Sequence, residues 1–503
     1  MDILINKIYL VYIPCPNKKD YEEYIFPNGL LYLYSSLLNN KYNTDLIMLG
    51  KHDFTEFLSE IQKDDIIGIS VNSSNKNISF EFAQYIKKSI FNVKIIMGGP
   101  FISLLDDEKL KEINFVDNFF KFESEYSILN FLKSQNNNKI IYGERIKELD
   151  SIPFPSKNGA IYSNIITSRG CPGNCIYCSS PELWKRKLFF RSPENIIEEI
   201  EQLYFEGVDY FSFSDDTFTF DKNRIIKLCN IIREKNLKII FDIRSRIDAV
   251  DNNILEELAL TGCVSISFGV ESASPKIQNI LSKKVDIKKA VDIIKKCRSL
   301  YIKTNVFLII GNPEEKDIDI DMNIDFIKES LSDWITVSGL HYYPQTALYK
   351  LYPKNIDWIN QKNTVYFDDL YNIKKNELKI HKAHKKALKN LYEKTIDLTD
   401  NIPYRSVFWK YAELGMFEKN KKLKLKWLRK AFEIYESPEI LFSLGIEENN
   451  EEMINKAYYK FCFQINNDIR KSPDFLKNAL VFFEYVEDKE YCVFVKSLLE
   501  KVI

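Results

Sequence analysis

Histidine is scarce in this sequence, with 4 residues in 503: His52, His341, His381 and His384. None lies near the close group of cysteines, so a zinc knot, which normally takes four protein ligands, lacks partners. Net charge is scarce too. Seventy Lys and Arg residues face 71 Asp and Glu, leaving a formal charge of -1, so the overall balance calls for neither nucleic acid nor an anionic membrane as partner. No apolar run approaches the roughly 18 to 20 residues that span a bilayer. The start, Met1-Asp2-Ile3-Leu4-Ile5-Asn6-Lys7, lacks the basic end and cleavage site of a signal peptide. A cytoplasmic location is therefore expected. In that reducing compartment the nine cysteines form no disulfide framework, and close Cys spacing points to metal or redox chemistry.

Hydrophobic residues make up 45% and charged residues 28%, as in folded globular proteins. The length exceeds one ordinary core, so two or three domains are expected. Lys, Asn and Ile are used heavily throughout, as under a genome-wide codon bias, and lysine runs carry correspondingly little weight.

From Lys7 to about Lys133 short β-branched runs alternate with amphipathic stretches. Strands are predicted at 8–14, 45–49, 66–71, 94–97 and 115–122, with helical patterns such as 29–39 and 79–90 between them. This is the pattern of a Rossmann-like parallel sheet over residues 1–145. Polar 134–138 and the prolines of Ile152-Pro153-Phe154-Pro155 mark a linker. A second series over 155–355 places strands at 164–167, 210–213, 239–243, 265–269, 304–310 and 336–339. Helical patterns such as 193–204 and 286–299 follow them, giving a partial (βα)6 version of the TIM barrel, whose sites lie at strand C-terminal ends. Over 356–503 strand patterns fade and an α-helical domain is expected, with helical stretches at 423–435, 451–463 and 491–499. Their spacing hints at paired helices, without a clean repeat signature.

The decisive segment is Thr167-Ser168-Arg169-Gly170-Cys171-Pro172-Gly173-Asn174-Cys175-Ile176-Tyr177-Cys178, a Cys-x3-Cys-x2-Cys directly after a predicted strand. Cys171, Cys175 and Cys178 suffice for three irons of a cubane cluster and leave the fourth open to a cofactor. The other cysteines, Cys15, Cys229, Cys263, Cys297, Cys462 and Cys492, mostly lie in apolar contexts suited to a small buried hydrophobe.

This segment resembles the radical S-adenosylmethionine (SAM) superfamily, and the resemblance extends from about Ser163 to Tyr349. It implies a [4Fe-4S] cluster that reductively cleaves SAM to methionine and a 5′-deoxyadenosyl radical, fed by an electron donor such as flavodoxin or ferredoxin. Tyr177 stands where the family has an aromatic residue before the third cysteine. Ser214-Asp215-Asp216-Thr217-Phe218 resembles the element that meets the methionine amino group, although adjacent carboxylates also suit a solvated turn. Asp242-Ile243-Arg244-Ser245-Arg246 resembles the third-strand segment whose arginine reaches the SAM carboxylate or lines the substrate chamber. Either Arg244 or Arg246 suits that role, as does an ordinary ion pair. Gly269-Val270-Glu271-Ser272 resembles the family's Gly-x-Glu-Ser, whose glutamate touches the ribose or amino group. Ile310-Gly311-Asn312-Pro313 resembles the adenine-supporting turn, and Tyr343-Pro344-Gln345-Thr346 a Pro-Gly-Thr turn with Gln345 in place of glycine.

A Rossmann-like domain ahead of such a barrel resembles the cobalamin-binding subclass. There the resemblance gives Gly98 and Gly99 a close backbone approach to the ligand, and Ser70 a place beside its nucleotide tail. The Asp-x-His-x-x-Gly motif that supplies a cobalt ligand is replaced by Ile13-Pro14-Cys15-Pro16-Asn17, and His52 reads as a surface histidine. The family's Gly-Glu-x-Glu is represented by Phe122-Glu123-Ser124-Glu125. The leading expectation is cobalamin-dependent methylation of an unactivated carbon in a small-molecule or peptide substrate. The alternatives are a bond-forming, cyclising or rearranging radical SAM enzyme, and a metal-containing binding protein without catalysis. A tRNA methylthiotransferase fits less well, because it needs three further N-terminal cysteines where only Cys15 is available. The seven Lys and Arg residues of 419–430 read as a solvated helix face, and His381 with His384 as exposed helix.

Overall fold

The computed structural model describes residues 6–15, 26–50, 53–90, 92–134, 138–155, 163–361, 364–392, 402–466 and 473–502. His52, Pro16 and Asn17 lie outside them. No helix of the described residues is long and apolar enough to cross a membrane. Two compact units are interleaved along the chain. One comprises Met1–Ala160, Arg169–Arg191 and His341–Tyr366, and the other Ile161–Ser168, Ser192–Leu340 and Phe367–Ile503.

The first unit is built on six parallel strands: β1 (Ile8–Tyr12), β2 (Thr44–Met48), β3 (Ile66–Ser70), β4 (Lys94–Gly98), β5 (Asn118–Lys121) and β6 (Ile140–Tyr142). Their spatial order is 2-1-3-4-5-6. The order reverses between β1 and β3, and right-handed crossovers then place helices on both faces. The strand sequences obey this. Every residue of β1 and of β5 is buried, as continuous apolar runs in a doubly covered parallel sheet must be. Gly68 exists for the same reason, since a Cβ there would stand 2.9 Å from Leu10 Cδ2. Strand β6 is one more than the five strands expected. Three residues on a sheet edge give too short an alternation to read.

In the second unit the long strands follow one another in space as in sequence: β7 (Asn164–Ile165), β10 (Tyr210–Phe213), β11 (Ile240–Arg246), β12 (Cys263–Glu271), β13 (Lys303–Ile310) and β14 (Trp334–Gly339). All are parallel. Two short strands, β8 (Ser168–Gly170) and β9 (Leu188–Phe190), pair with each other and close the base of the cysteine loop, and the stretch Arg169–Arg191 belongs to the first unit. Sequential order with right-handed crossovers puts every intervening helix on one face. Burial accordingly alternates along these strands, every second residue being buried in β13 and β14.

After the long helix Leu370–Tyr392 the chain continues as three helical hairpins: 408–417 with 421–434, 438–448 with 451–466, and 473–485 with 489–502. Small residues let partners approach closely, as a Cβ on Gly415 would strike Leu428 and one on Gly445 would strike Ile454. The hairpin region is seated on the N-terminal ends of the barrel strands. Arg405 donates to the Leu237 carbonyl (2.9 Å), Trp409 Nε1 to that of Tyr301 (2.6 Å), and Tyr435 OH to Asp209 (2.8 Å). The expectation of exposed histidines on 370–392 is corrected at one position: His384 is buried and its Nε2 stands 2.8 Å from the Ser332 carbonyl. In the basic stretch, Lys424 pairs with Glu447 and Arg429 with Glu448, each at 2.9 Å.

Candidate active site

In the first unit the cysteine motif occupies the loop between β8 and β9. Gly170 opens it at φ +104°, and any side chain there would collide with the Lys187 carbonyl, so the Gly before Cys171 is required by loop closure. Cys175 is buried, while Cys171, Tyr177 and Cys178 are half-buried. Backbone N–H groups of Gly173 and Ser180 point at the sulfurs of Cys171 and Cys178, each at 3.4 Å. Such donors favour thiolate over thiol and tune cluster potentials. The remaining barrel cysteines are of another kind. Burial pushes the Cys229 thiol up to about 11 and raises those of Cys263 and Cys297 further, which holds them as inert thiols. Among the described residues no group of three or more His, Cys, Asp or Glu side chains is gathered as a single-ion site. This is compatible with cluster ligation, because a cubane is a larger body than one zinc ion, which draws its thiolates to about 2.3 Å. Three thiols on one loop with backbone donors to two of them fit a [4Fe-4S] cluster.

The loop is held from two sides. Arg169, buried, bonds Glu123 at 2.9 Å and Glu125 at 2.7 Å, and its guanidinium lies 4.9 Å from the Tyr32 ring. Burial opposes its charge, but the two carboxylates outweigh burial and raise its pKa. Glu123 also takes Arg145 at 2.9 Å and the Ile146 N–H. The pair Glu123 and Glu125 is thus an anchor for the residue two before Cys171. On the other side Leu348 N–H donates to the Ile176 carbonyl at 2.8 Å, and Lys350 pairs with Glu182 at 2.9 Å. Thr346 caps the helix Ala347–Leu351 that carries both donors. Two positions where the family has glycine keep glycine's backbone shape without it: Phe122 lies at φ +68° and Gln345 at φ +64°. Gln345 holds it by bonding Asp106.

At the switch point, Ser70 ends β3 and Gly98-Gly99 ends β4. Gly99 has φ +108°, and a Cβ on it would stand 2.6 Å from the Val71 carbonyl oxygen. The turn itself therefore demands Gly99, whatever lies beyond it. The following loop is a fixed Asn turn. Asn72 Oδ1 accepts from the N–H groups of Ser74 and Asn75, and Asn75 Nδ2 bonds the Ser70 carbonyl at 3.0 Å. These residues line the crevice outside the strand ends, where ligands bind in open α/β sheets.

In the second unit the acidic element after β10 divides into two roles. Asp216 is exposed. Asp215, 2% exposed, accepts from Thr167 N (2.7 Å), Ser168 N (3.1 Å), Ser168 Oγ (2.8 Å) and Thr167 Oγ1. Its oxygens accept from the segment that leads into the cysteine loop, which gives Asp215 a positioning role. Arg224, unremarked in the sequence, supports the same segment through the Thr167 carbonyl at 3.1 Å.

Glu271 ends β12 at φ +70°, beside a register shift, and is buried against Lys283 Nζ at 3.1 Å. A Cβ on Gly269 would collide with the Glu271 carboxylate, which explains the Gly-x-Glu spacing. A non-glycine residue in this conformation is typical of sites where geometry serves function. Arg246 pairs with Asp248 through two bonds (2.9 and 2.8 Å) and reaches the Lys283 carbonyl (3.3 Å). Arg244, two residues earlier on the same face, is exposed. Gly311, at φ +72°, donates its N–H to Glu315 at 2.6 Å, and Asn312 closes the turn on Glu315 and the Ile309 carbonyl. Lys283 and Glu315 had no signal in the sequence, because a single Lys or Glu in a polar stretch looks like surface.

Residues 165–327 match the radical SAM superfamily, so the chain carries a radical SAM domain. Over 357 residues it is 28% identical to an uncharacterized methyltransferase of Pyrococcus horikoshii, covering 64% of this chain and 78% of that one. Its fold is similar to the radical SAM methyltransferase TsrM of Kitasatospora setae, solved with tryptophan and a SAM analogue (TM-score 0.56, 16% identity, 68% of this chain and 74% of that one). It is similar also to the cobalamin-dependent SAM radical enzyme OxsB, solved with aqua-cobalamin and SAM (TM-score 0.56, 15% identity, 99% and 79%). At these identities the structural likeness speaks for the fold. The chain is a radical SAM enzyme, and the family implies its [4Fe-4S] cluster and SAM.

Proposed function

We propose that the enzyme methylates an unactivated carbon with the help of cobalamin, on a cluster held by Cys171, Cys175 and Cys178. The carrying observation is the joining of a 2-1-3-4-5-6 parallel sheet, with its crevice at Ser70 and Gly98-Gly99, to an open six-stranded barrel in one chain. Of the two proteins with a similar fold, TsrM has been solved with cobalamin and a [4Fe-4S] cluster bound, and OxsB with aqua-cobalamin and SAM. When bound, the cluster supplies the electron that cleaves SAM, and cobalamin a transferable methyl group. The chain's own residues do the placing. Glu271, Asp216, Arg246 and Tyr177 are assigned to the amino acid and ribose of SAM, and Gly311 to the turn beneath its adenine. Arg244 stands next in line on the same face. Asp215 holds Thr167 and Ser168, and Arg169 is held by Glu123 and Glu125, so the residues that lead into the cysteine loop are each fixed. Ser70, Gly98 and Gly99 would hold the tail of cobalamin.

Purification from cobalamin-fed cells, followed by anaerobic reconstitution and absorption spectroscopy, tests this reading, since cluster and corrin absorb differently. The protein should retain both and transfer a deuterated methyl group from SAM to a carbon. Protein that never retains cobalamin, yet couples SAM cleavage to product formation, would establish a bond-forming or rearranging enzyme instead.

A further inference from the structure

Two features stand at the C-terminal ends of the first sheet. One is the crevice at Ser70 and Gly98-Gly99, and the other is the turn Phe122-Glu123-Ser124-Glu125 after β5. The carboxylates of that turn are bonded to the cysteine loop. One oxygen of Glu123 pairs at 2.9 Å with Arg169, two residues before Cys171, and Glu125 holds the same guanidinium at 2.7 Å. The other oxygen of Glu123 pairs at 2.9 Å with Arg145, whose second terminal nitrogen donates to the Leu183 carbonyl at 2.7 Å. The Arg145 guanidinium also lies 4.4 Å from the ring of Trp184, and Leu183 and Trp184 close the helix Ser180–Trp184 that follows Cys178. Entry and exit of the loop are thus tied to opposite oxygens of one carboxylate.

These charges lie in the interior, where the side chains of Glu123, Glu125, Arg169 and Arg145 are 4%, 6%, 8% and 18% exposed. Two carboxylates face two guanidiniums, so each charge depends on its partners. A buried ion pair adds little to stability over apolar residues of the same volume, whereas loss of one partner strands the other. What a guanidinium fork adds is a fixed distance and a fixed plane. The turn that presents Glu123 is itself held. Phe122, at φ +68°, donates its N–H to Ser103 Oγ at 2.9 Å, and that hydroxyl donates to the Gly99 carbonyl at 3.0 Å. Inside the loop the bonds are short-range, such as Cys178 N–H to the Cys175 carbonyl at 3.2 Å. Local bonds of that kind open easily unless the ends are fixed.

Resting on the radical SAM reading, we propose that Glu123 is the positioning residue of the cluster loop: one buried carboxylate fixes both its ends, so that the span carrying Cys171, Cys175 and Cys178 is held in a single conformation before iron is bound. The first sheet then has a task in the radical chemistry that does not depend on cobalamin.

The test has two arms on the full chain. In the metal-free protein, hydrogen exchange is followed by mass spectrometry across 169–184, with β12 as the control for folding. Glu123→Ala should quicken exchange over the whole span by at least about tenfold, because removing one partner of a buried pair leaves the other charge stranded. Should exchange in β12 rise as well, Glu123→Gln, which keeps the volume, is read in its place. Arg169→Met should act on the entry, 169–175, and Arg145→Met on the exit, 178–184, each leaving the other end near the wild-type rate. In the anaerobically reconstituted protein, the midpoint potential of the cluster is measured by redox titration followed by EPR. Glu123→Gln removes a negative charge and should raise the potential, whereas Arg169→Met removes a positive charge and should lower it. Unchanged exchange without the Glu123 carboxylate, an Arg145→Met effect confined to the entry, or potentials that stay put or move the same way in both variants would overturn the proposal. A wild-type chain that forms no [4Fe-4S] cluster would count against the radical SAM reading, while the exchange arm still decides the role of Glu123.

Discussion

The two six-stranded parallel sheets of this chain share strand count, direction and helical crossovers, yet one is apolar on both faces and the other on one. Strand order makes the difference. Where the order reverses between β1 and β3, crossovers of one hand must lay helices on both sides, and strands such as Ile8–Tyr12 become buried throughout. Where strands follow in sequence, all helices share one side and the opposite face is left for polar residues such as Arg244, Ser267 and Asn305. The doubly covered sheet can offer a ligand only its strand-end crevice, whereas the singly covered sheet offers a whole face.

The most severe way to probe this division is to compare cysteines. Cys175→Ala removes a cluster ligand and should abolish 5′-deoxyadenosine formation after reconstitution. Cys263→Ala, in the helix-covered face of β12, should lower unfolding free energy by about 1–2 kcal/mol and leave the cluster absorbance intact. Retained SAM cleavage in Cys175→Ala would refute the ligand assignment.

Next in size is Asp215→Ala. It strips the acceptor from two buried N–H groups and two hydroxyls, and denaturant titration should show a loss of about 2–4 kcal/mol. A loss under about 0.5 kcal/mol would mean that the carboxylate does not hold the Thr167-Ser168 segment. A matched pair then addresses the two sheets directly. Gly68→Val in β3 overpacks against Leu10 and Ile96 and should cost about 1–3 kcal/mol, whereas Ser267→Val on the open face of β12 should change stability by less than about 0.5 kcal/mol. Equal costs would mean that both faces of the second sheet are packed.

The smallest effect is on pH dependence in the first unit. Lys76 is buried, bonds the Trp358 carbonyl at 2.9 Å and that of Gln361, and burial pushes its ammonium down to about 8 from the ordinary 10.5. Below pH 8 folded and unfolded chains both carry the proton and the fold bears the full cost. Between about 8 and 10.5 only the unfolded chain holds it, so this contribution makes stability rise with pH, and above 10.5 the cost has vanished. Chemical unfolding across that window should show a shallower rise, or a steeper fall, in Lys76→Met than in the wild type.

Much of the fold was legible because βα alternation is a local signal. Most strands of both sheets, β6 apart, announce themselves by β-branched or aromatic runs, and the Cys-x3-Cys-x2-Cys spacing announces cluster chemistry within eight residues. Less legible were features whose meaning depends on a distant partner. Phe122-Glu123-Ser124-Glu125 reads as a worn glycine motif until Arg169 is found between its carboxylates. Asp215 and Asp216 are equivalent in sequence, but one is buried under Thr167 and Ser168 while the other is exposed. Gln345 reads as a breach of a glycine turn, yet it takes the left-handed backbone that glycine would have taken.

What the sequence by itself determined is therefore the inventory: two runs of βα units, a helical end, one three-cysteine loop and the polar residues that follow particular strands. These are set by periodicity and spacing, which need no knowledge of contacts. The tertiary structure decided the assignment of roles among equals: which aspartate is buried under Thr167 and Ser168 and which is exposed, which arginine is tied to Asp248, and which sheet is buried on both faces. Those outcomes depend on strand order and on pairs far apart in the chain, and hydrogen-bonding capacity, once spent on a buried partner, is no longer available to a ligand.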